Sequence, residues 1–169
     1  MFLPHGLTSA PVSTPEINQL LHPDRIRVGL SCDTKQDAIN TMVDLLEGNP
    51  SINELATVRD AVFEREATMS TGVGKGLGLP HAKTPAATET IAAFATMAPP
   101  IPFDAIDDAP VELMLLLVGP TANTSLHIKV LGRISRLVNR PPIREALINA
   151  TNPEGILDTL KEAESRLLT

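Results

Sequence analysis

The chain has no tryptophan, no tyrosine and only four phenylalanines among its 169 residues. It is also short of positive charge, with a formal net charge of −6. Nucleic-acid binding needs a basic footprint, often with aromatic rings for stacking, so this composition argues against nucleic acid as the main partner. A single cysteine, Cys32, cannot form an internal disulfide. Flanked by Ser31 and Asp33, beside a carboxylate and not a cation, it reads as a structural residue. Long apolar runs are missing too. The longest, Leu113 to Val118, falls far short of the ~20 residues of a membrane helix. The first residues, MFLPHGLTSAPVSTPE, lack the basic and apolar stretches of a signal peptide. These absences lead to the expectation of a cytoplasmic protein without membrane insertion.

What is present fits one globular domain. The length suits a single core, and 43% hydrophobic with 20% charged residues is an ordinary balance. Residues 1–15 are rich in Pro, Ser and Thr without periodicity and read as a flexible arm ahead of a domain over 16–169. Ile26 to Leu30 reads as a strand. Thr34-x-x-Asp37 resembles a capping box opening a helix, which Gly48-Asn49-Pro50 ends. Ser51-x-x-Glu54 is expected to cap a second helix, with Leu55, Val58 and Val62 on one face. Gly72, Gly74, Gly76 and Gly78 then alternate with Val73, Lys75 and Leu77, which predicts a tight loop and neither helix nor ordinary strand. Strands are predicted at Ile91 to Met97 and at Val111 to Val118, the latter apolar enough to be central. Thr124 or Ser125 is expected to cap a helix carrying His127, Leu131, Ile134 and Val138 on one face. A short helix over Ile143 to Ala150 follows, then a last one with Asn152 as N-cap and Pro153 at its first position. The fold class expected is α/β, with a mixed sheet in a three-layer helix/sheet/helix arrangement.

The glycine run is not a nucleotide motif. Lys75 is followed by Gly76, Met69 stands where a P-loop begins with glycine, and Leu77 and Leu79 take the third-glycine positions of GxGxxG. His81 follows Pro80 at the end of this run. A neutral imidazole is a good nucleophile and is the main form at neutral pH; a surface turn histidine without a role is the alternative. His127 sits near a helix N-terminus, where the dipole disfavours imidazolium and attracts anions. It reads either as a hydrogen-bond donor to a bound anion or as a core histidine satisfied by a carbonyl. Arg65, between Glu64 and Glu66, is either a phosphate clamp or part of a solvated charged face. His5, His22, His81 and His127 have no short ligand spacing, so no metal site is expected, and no cofactor is implied.

Four segments in order resemble the type-2 enzyme IIA family of the bacterial phosphotransferase system, the fructose, mannitol and nitrogen-regulatory group. They are Glu64–Glu66 (ERE), Ser70–Lys83 (STGVGKGLGLPHAK), Phe103–Pro120 (FDAIDDAPVELMLLLVGP) and His127 within SLHIKVLGRIS. The likeness runs from about residue 16 to residue 164, although Lys75 and Leu77 replace the Asn and Ile of many relatives. It implies that His81 takes a phosphoryl group, at Nε2, from the histidine phosphocarrier protein. His127 would line the same site and Arg65 would help hold the anion. In sugar transport the group then passes to a cysteine of enzyme IIB. Ser70, Thr71, Gly72 and Gly74 are expected to offer loop N–H groups to the phosphoryl. No carboxylate stands within ten residues before His81 or seven after it, which suits a carrier better than a hydrolase. FDAIDDAPVEL in a stand-alone domain looks closer to the nitrogen-regulatory type, with regulatory target proteins as partners. A fructose-type IIA is the alternative, and an interaction domain that is not phosphorylated is the rival of another class.

Overall fold

In the computed structural model, which describes residues 14–167, the longest apolar run of the sequence lies inside a mixed sheet. The elements are α1 (Ile17–Leu20), a 3-10 turn (Pro23–Arg25), β1 (Ile26–Leu30), α2 (Lys35–Asp44), α3 (Leu55–Thr68), β2 (Gly72–Gly74), β3 (Leu77–Gly78), β4 (His81–Lys83), β5 (Ile91–Ile101), β6 (Val111–Gly119), α4 (Thr124–Val138), α5 (Pro141–Ile148) and α6 (Pro153–Leu167). The sheet runs β1-β5-β6-β3-β2. β5 and β6 are antiparallel, while β1 joins β5, and β3 and β4 join β6, in parallel.

Because successive side chains of a strand point to opposite faces, β6 feeds two cores at once. Met114, Leu116 and Val118 pack with Ile39, Met42 and Val43 of α2 and Val58 and Val62 of α3. Leu113, Leu115 and Leu117 pack with Val130, Ile134 and Leu137 of α4 and Ile156 and Leu160 of α6. Burial on both faces is why this strand reads as continuous hydrophobicity and not as alternation. The three-layer mixed α/β architecture is the expected one.

β3 and β4 lie end to end along the same edge of β6. Leu77 and Gly78 pair with Leu113 and Met114, and His81 to Lys83 pair with Leu117 to Gly119. Between them the Leu79 N–H meets the Thr71 carbonyl at 2.9 Å, on the β2 side and away from β6, and Pro80 has no N–H to give. This break sets the site histidine at the head of its own short strand.

Several local expectations need correction. The tight loop expected of the glycine run is the turn of a hairpin, whose arms β2 and β3 are short strands that the glycine content did not predict. Lys75 and Gly76 form its two-residue turn with φ of 55° and 77°, the left-handed pair that such a turn requires. Gly72 is also where the hairpin approaches its neighbour most closely, since a Cβ there would stand 2.8 Å from Ala105 Cα. Ser51 is not a helix cap. Its carbonyl accepts the Thr88 N–H, and Ile52 bridges to Ala87, so α3 begins after Glu54 with no side-chain cap. Neither Thr124 nor Ser125 caps α4, whose N-cap is Asn123. The helix expected over 143–150 starts at Pro141 and ends at Ile148. In contrast, Thr34 Oγ1 accepts the Asp37 N–H and Asn152 Oδ1 accepts the Gly155 N–H, as the caps of α2 and α6 should. The arm read at residues 1–15 lies outside the described residues, apart from Thr14 and Pro15. No helix among the described residues is long and apolar enough to cross a membrane.

Candidate functional site

Three elements converge on His81: its own strand β4, the first turn of α4 and the last turn of α3. The His81 Nδ1 is 2.7 Å from the Leu79 carbonyl oxygen. A carbonyl can only accept, so Nδ1 carries the proton in the neutral ring and Nε2 keeps its lone pair. Burial pushes the His81 pKa below 6.5; the Leu79 bond and the Glu66 charge oppose this, and Arg65 and Lys83 add to it. Its lowered pKa therefore favours the neutral ring at ordinary pH, with Nε2 the unprotonated nitrogen.

His127 is 3% exposed, and its ring centroid lies 5.3 Å from that of His81 with the planes tilted by 55°. Neither of its ring nitrogens has a hydrogen-bond partner among the described residues. The reading as a core histidine satisfied by a carbonyl is thus not what the fold contains. An unpartnered buried nitrogen is costly, and this one sits against a cleft that a polar group could enter. Burial first, then the neighbouring His81 and Lys83, push its pKa down to about 4. The ring stays neutral and retains one N–H.

Arg65, half-buried near the end of α3, forms no ion pair with the adjacent glutamates among the described residues. Its Nη1 donates to the Met69 carbonyl at 3.0 Å. A cleft of about 600 Å³ is lined by Arg65, His81, Lys83, Thr124 and His127. A second, of about 610 Å³, shares Arg65 and His81 and extends along Ser70, Thr71 and Gly72. Around its mouth Met69, Val73, Ile106 and Ile128 are exposed, at 70%, 46%, 84% and 64%. The three residues expected to act together therefore do meet.

The glycine loop behaves otherwise. Thr71 N donates to Glu66 Oε1 at 2.9 Å and Gly72 N to Ser70 Oγ at 3.1 Å. Those two N–H groups are committed inside the protein, so the expected cradle loses them, although Ser70, Thr71 and Gly72 line the cleft wall. Gly74 stands at the hairpin tip, where the next N–H, from Lys75, meets Asp107 Oδ2 at 2.8 Å. It lines neither cleft.

Sequence reasoning missed several partners. Lys83 Nζ donates to Thr124 Oγ1 at 3.0 Å on the cleft wall, adding a cation to the site. Alternation from His81 along β4 could have found it. The Leu79 carbonyl leaves no sequence signal. A carboxylate is also nearer His81 than linear spacing implied, since Glu66 is close enough to raise its pKa. Glu66 is held by Thr71 and Lys35, however, and is not placed as a free base. Among the described residues no group of three or more His, Cys, Asp and Glu converges to hold a metal ion.

Comparison with known proteins gives this geometry its context. The family described as "Phosphoenolpyruvate-dependent sugar phosphotransferase system, EIIA 2" matches residues 19–163. The fructose-specific EIIA component of Haloferax volcanii is 37% identical over 129 residues, covering 76% of this chain and 84% of that protein. A nitrogen regulatory protein of Pseudomonas aeruginosa is 27% identical over 149 residues, covering 88% and 97%. The crystal structure of the nitrogen regulatory protein IIA-Ntr from Neisseria meningitidis superposes with a TM-score of 0.80 at 29% identity, covering 85% and 98%. With nearly all of its folded length matched, the chain belongs to the EIIA type-2 family of the phosphotransferase system.

Proposed function

We propose that the chain is a phosphohistidine carrier in which His81 Nε2 accepts a phosphoryl group from the histidine phosphocarrier protein and later gives it up. The observation that carries this reading is the Nδ1–H bond to the Leu79 carbonyl, which leaves the Nε2 lone pair free beside Arg65 and His127. In the transfer the donor's N–P bond breaks as the bond from His81 Nε2 to phosphorus forms, and the donor, protonated on its other ring nitrogen as a phosphoimidazolium, leaves as a neutral imidazole. The His81 ring gains positive charge, which the Leu79 carbonyl stabilises through Nδ1–H. Such a displacement needs positioning and charge stabilisation more than covalent help from the protein. Arg65 supplies a guanidinium fork, Lys83 a second cation, and neutral His127 one N–H. The exposed apolar rim of Met69, Val73, Ile106 and Ile128 suits a protein donor that docks and leaves.

Two downstream roles differ only in the acceptor. The Phe103–Leu113 segment and the Neisseria structure support a regulatory role controlled by phosphorylation state. The higher identity to a fructose-specific component supports transfer to a IIB cysteine. Incubation with phosphoenolpyruvate, enzyme I and the histidine phosphocarrier protein should add one acid-labile phosphoryl group, seen by intact-mass spectrometry and absent from His81→Ala. A fructose-type IIB then discharges the phosphoprotein if the role is transport. Label that survives His81→Ala, or no label at all, would falsify the carrier reading and leave a protein-interaction domain.

A further inference from the structure

One buried charge pair beside the site lines neither cleft that reaches His81. Glu66, next to Arg65 on α3, is 8% exposed. Its Oε1 lies 2.6 Å from the Nζ of Lys35, the first residue of α2. Lys35 is itself enclosed: its Nζ is 4.7 Å from the Phe103 ring centroid, 3.5 Å from Ser70 Oγ and 4.0 Å from the exposed Asp104 carboxylate. On its other side Glu66 takes both donors of Thr71, the N–H at Oε1 and the hydroxyl at Oε2. The Thr71 carbonyl accepts the Leu79 N–H at 2.9 Å, and the Leu79 carbonyl in turn accepts His81 Nδ1–H at 2.7 Å.

The line Lys35, Glu66, Thr71, Leu79, His81 is therefore continuous. It crosses the one place where the strand edge is broken. The Leu79 N–H points away from β6 and Pro80 has none, so Thr71 is what holds the Leu79 amide on the β2 side. Pro80 is tied beyond it only through its carbonyl, which accepts the Leu117 N–H at 3.1 Å. Buried ion pairs contribute little to stability compared with well-packed apolar residues. A pair retained here is better explained by the position it imposes.

We propose that Lys35 and Glu66 are positioning residues for His81: by fixing Thr71 they orient the Leu79 peptide, whose carbonyl keeps the proton on Nδ1 and the nucleophilic lone pair on Nε2. The proposal rests on the reading of His81 as phosphoryl acceptor, but its test does not require phosphorylation. Ring-¹⁵N NMR of the unphosphorylated full chain, at a pH where His81 is neutral, reports the tautomer directly. The wild type should show a protonated Nδ1 and an unprotonated Nε2. Glu66→Gln keeps the shape but loses one acceptor for Thr71, so its ring signals should move partway towards a tautomer mixture. Lys35→Met with Glu66→Met removes both charges and the anchor, so the mixture should be complete while circular dichroism stays native. In that folded double variant, phosphorylation at saturating donor should slow by about ten- to a hundred-fold, the penalty of a misplaced reacting group. Wild-type ring signals in both folded variants overturn the proposal. Should the double variant not fold, Glu66→Gln alone decides, and an unchanged ring in it overturns the proposal equally. A wild-type chain that shows the expected tautomers but takes no phosphoryl group refutes the carrier reading and leaves this positioning role standing.

Discussion

His81 and His127 face each other with ring centroids 5.3 Å apart, one ring at the cleft surface and the other 97% enclosed, since His127 is 3% exposed. Each lies where a second positive charge is unwelcome, and burial is the first cause of the lowered pKa of both. Both rings are thereby biased towards the neutral form, the state the proposed phosphoryl transfer needs.

That neutrality fixes a pH profile. A histidine at its ordinary value of 6.5 is half protonated, and half inactive as a nucleophile, at that pH. With the His81 value below 6.5, phosphoryl acceptance from a small donor such as phosphoramidate should fall with pH through a midpoint that lies below 6.5. Small-donor kinetics, corrected for protonation of the donor, check this against the His81 ring titration by NMR. A midpoint at or above 6.5 would contradict the burial-driven shift.

His127 links the same electrostatics to stability. Its folded pKa of about 4 lies below the unfolded value of 6.5, so the unfolded chain binds the proton first. The stability contribution is fully present above 6.5 and is lost as pH falls towards 4. His127→Ala should keep the fold, slow phosphoryl transfer in both directions, and flatten part of this acid slope. His81, lowered in the same direction, contributes a further part of the slope. Urea midpoints for both proteins across pH 7 to about pH 4 measure the difference. Identical slopes, with unchanged transfer, would return His127 to the role of a passive core residue.

Much of the architecture was written in local signals. β1, β5, β6 and the capped starts of α2 and α6 each follow from apolar pattern or cap chemistry acting over a few neighbours. At Ser51 and at β4 long-range pairing decided the outcome, whereas the starts of α4 and α5 and the hairpin turn rest on local choices. Ser51-x-x-Glu54 has the form of a cap, yet the backbone of Ser51 to Asn53 is claimed by residues 86–88. β4, only three residues long, exists because β6 offers it an edge. The glycine run reads as a loop until Lys75 and Gly76 are seen to supply a hairpin turn. At the site, His81, Arg65 and His127 were chosen by family resemblance, since each has a bland reading of its own. Lys35 carried no signal because its meaning depends on Glu66, Thr71 and Phe103, all distant in sequence.

Arg65 gives the most direct test of the anion clamp. Its guanidinium makes one hydrogen bond to the Met69 carbonyl and no ion pair among the described residues, while lining both clefts that reach His81. Hydrogen bonds to a charged group contribute roughly 1.5–3 kcal/mol, so losing one in the transition state should slow transfer by about ten- to a hundred-fold in Arg65→Ala. Arg65→Lys restores the charge but not the two-pronged contact, and should recover only part of the rate. The Met69 hydrogen bond predicts a separate, smaller effect, a loss of about 1 kcal/mol of stability in the alanine variant. Urea midpoints and single-turnover phosphorylation rates on both variants separate the two effects. If Ala and Lys variants transfer at near-wild-type rates, the arginine serves only to close the end of α3 and is no anion clamp.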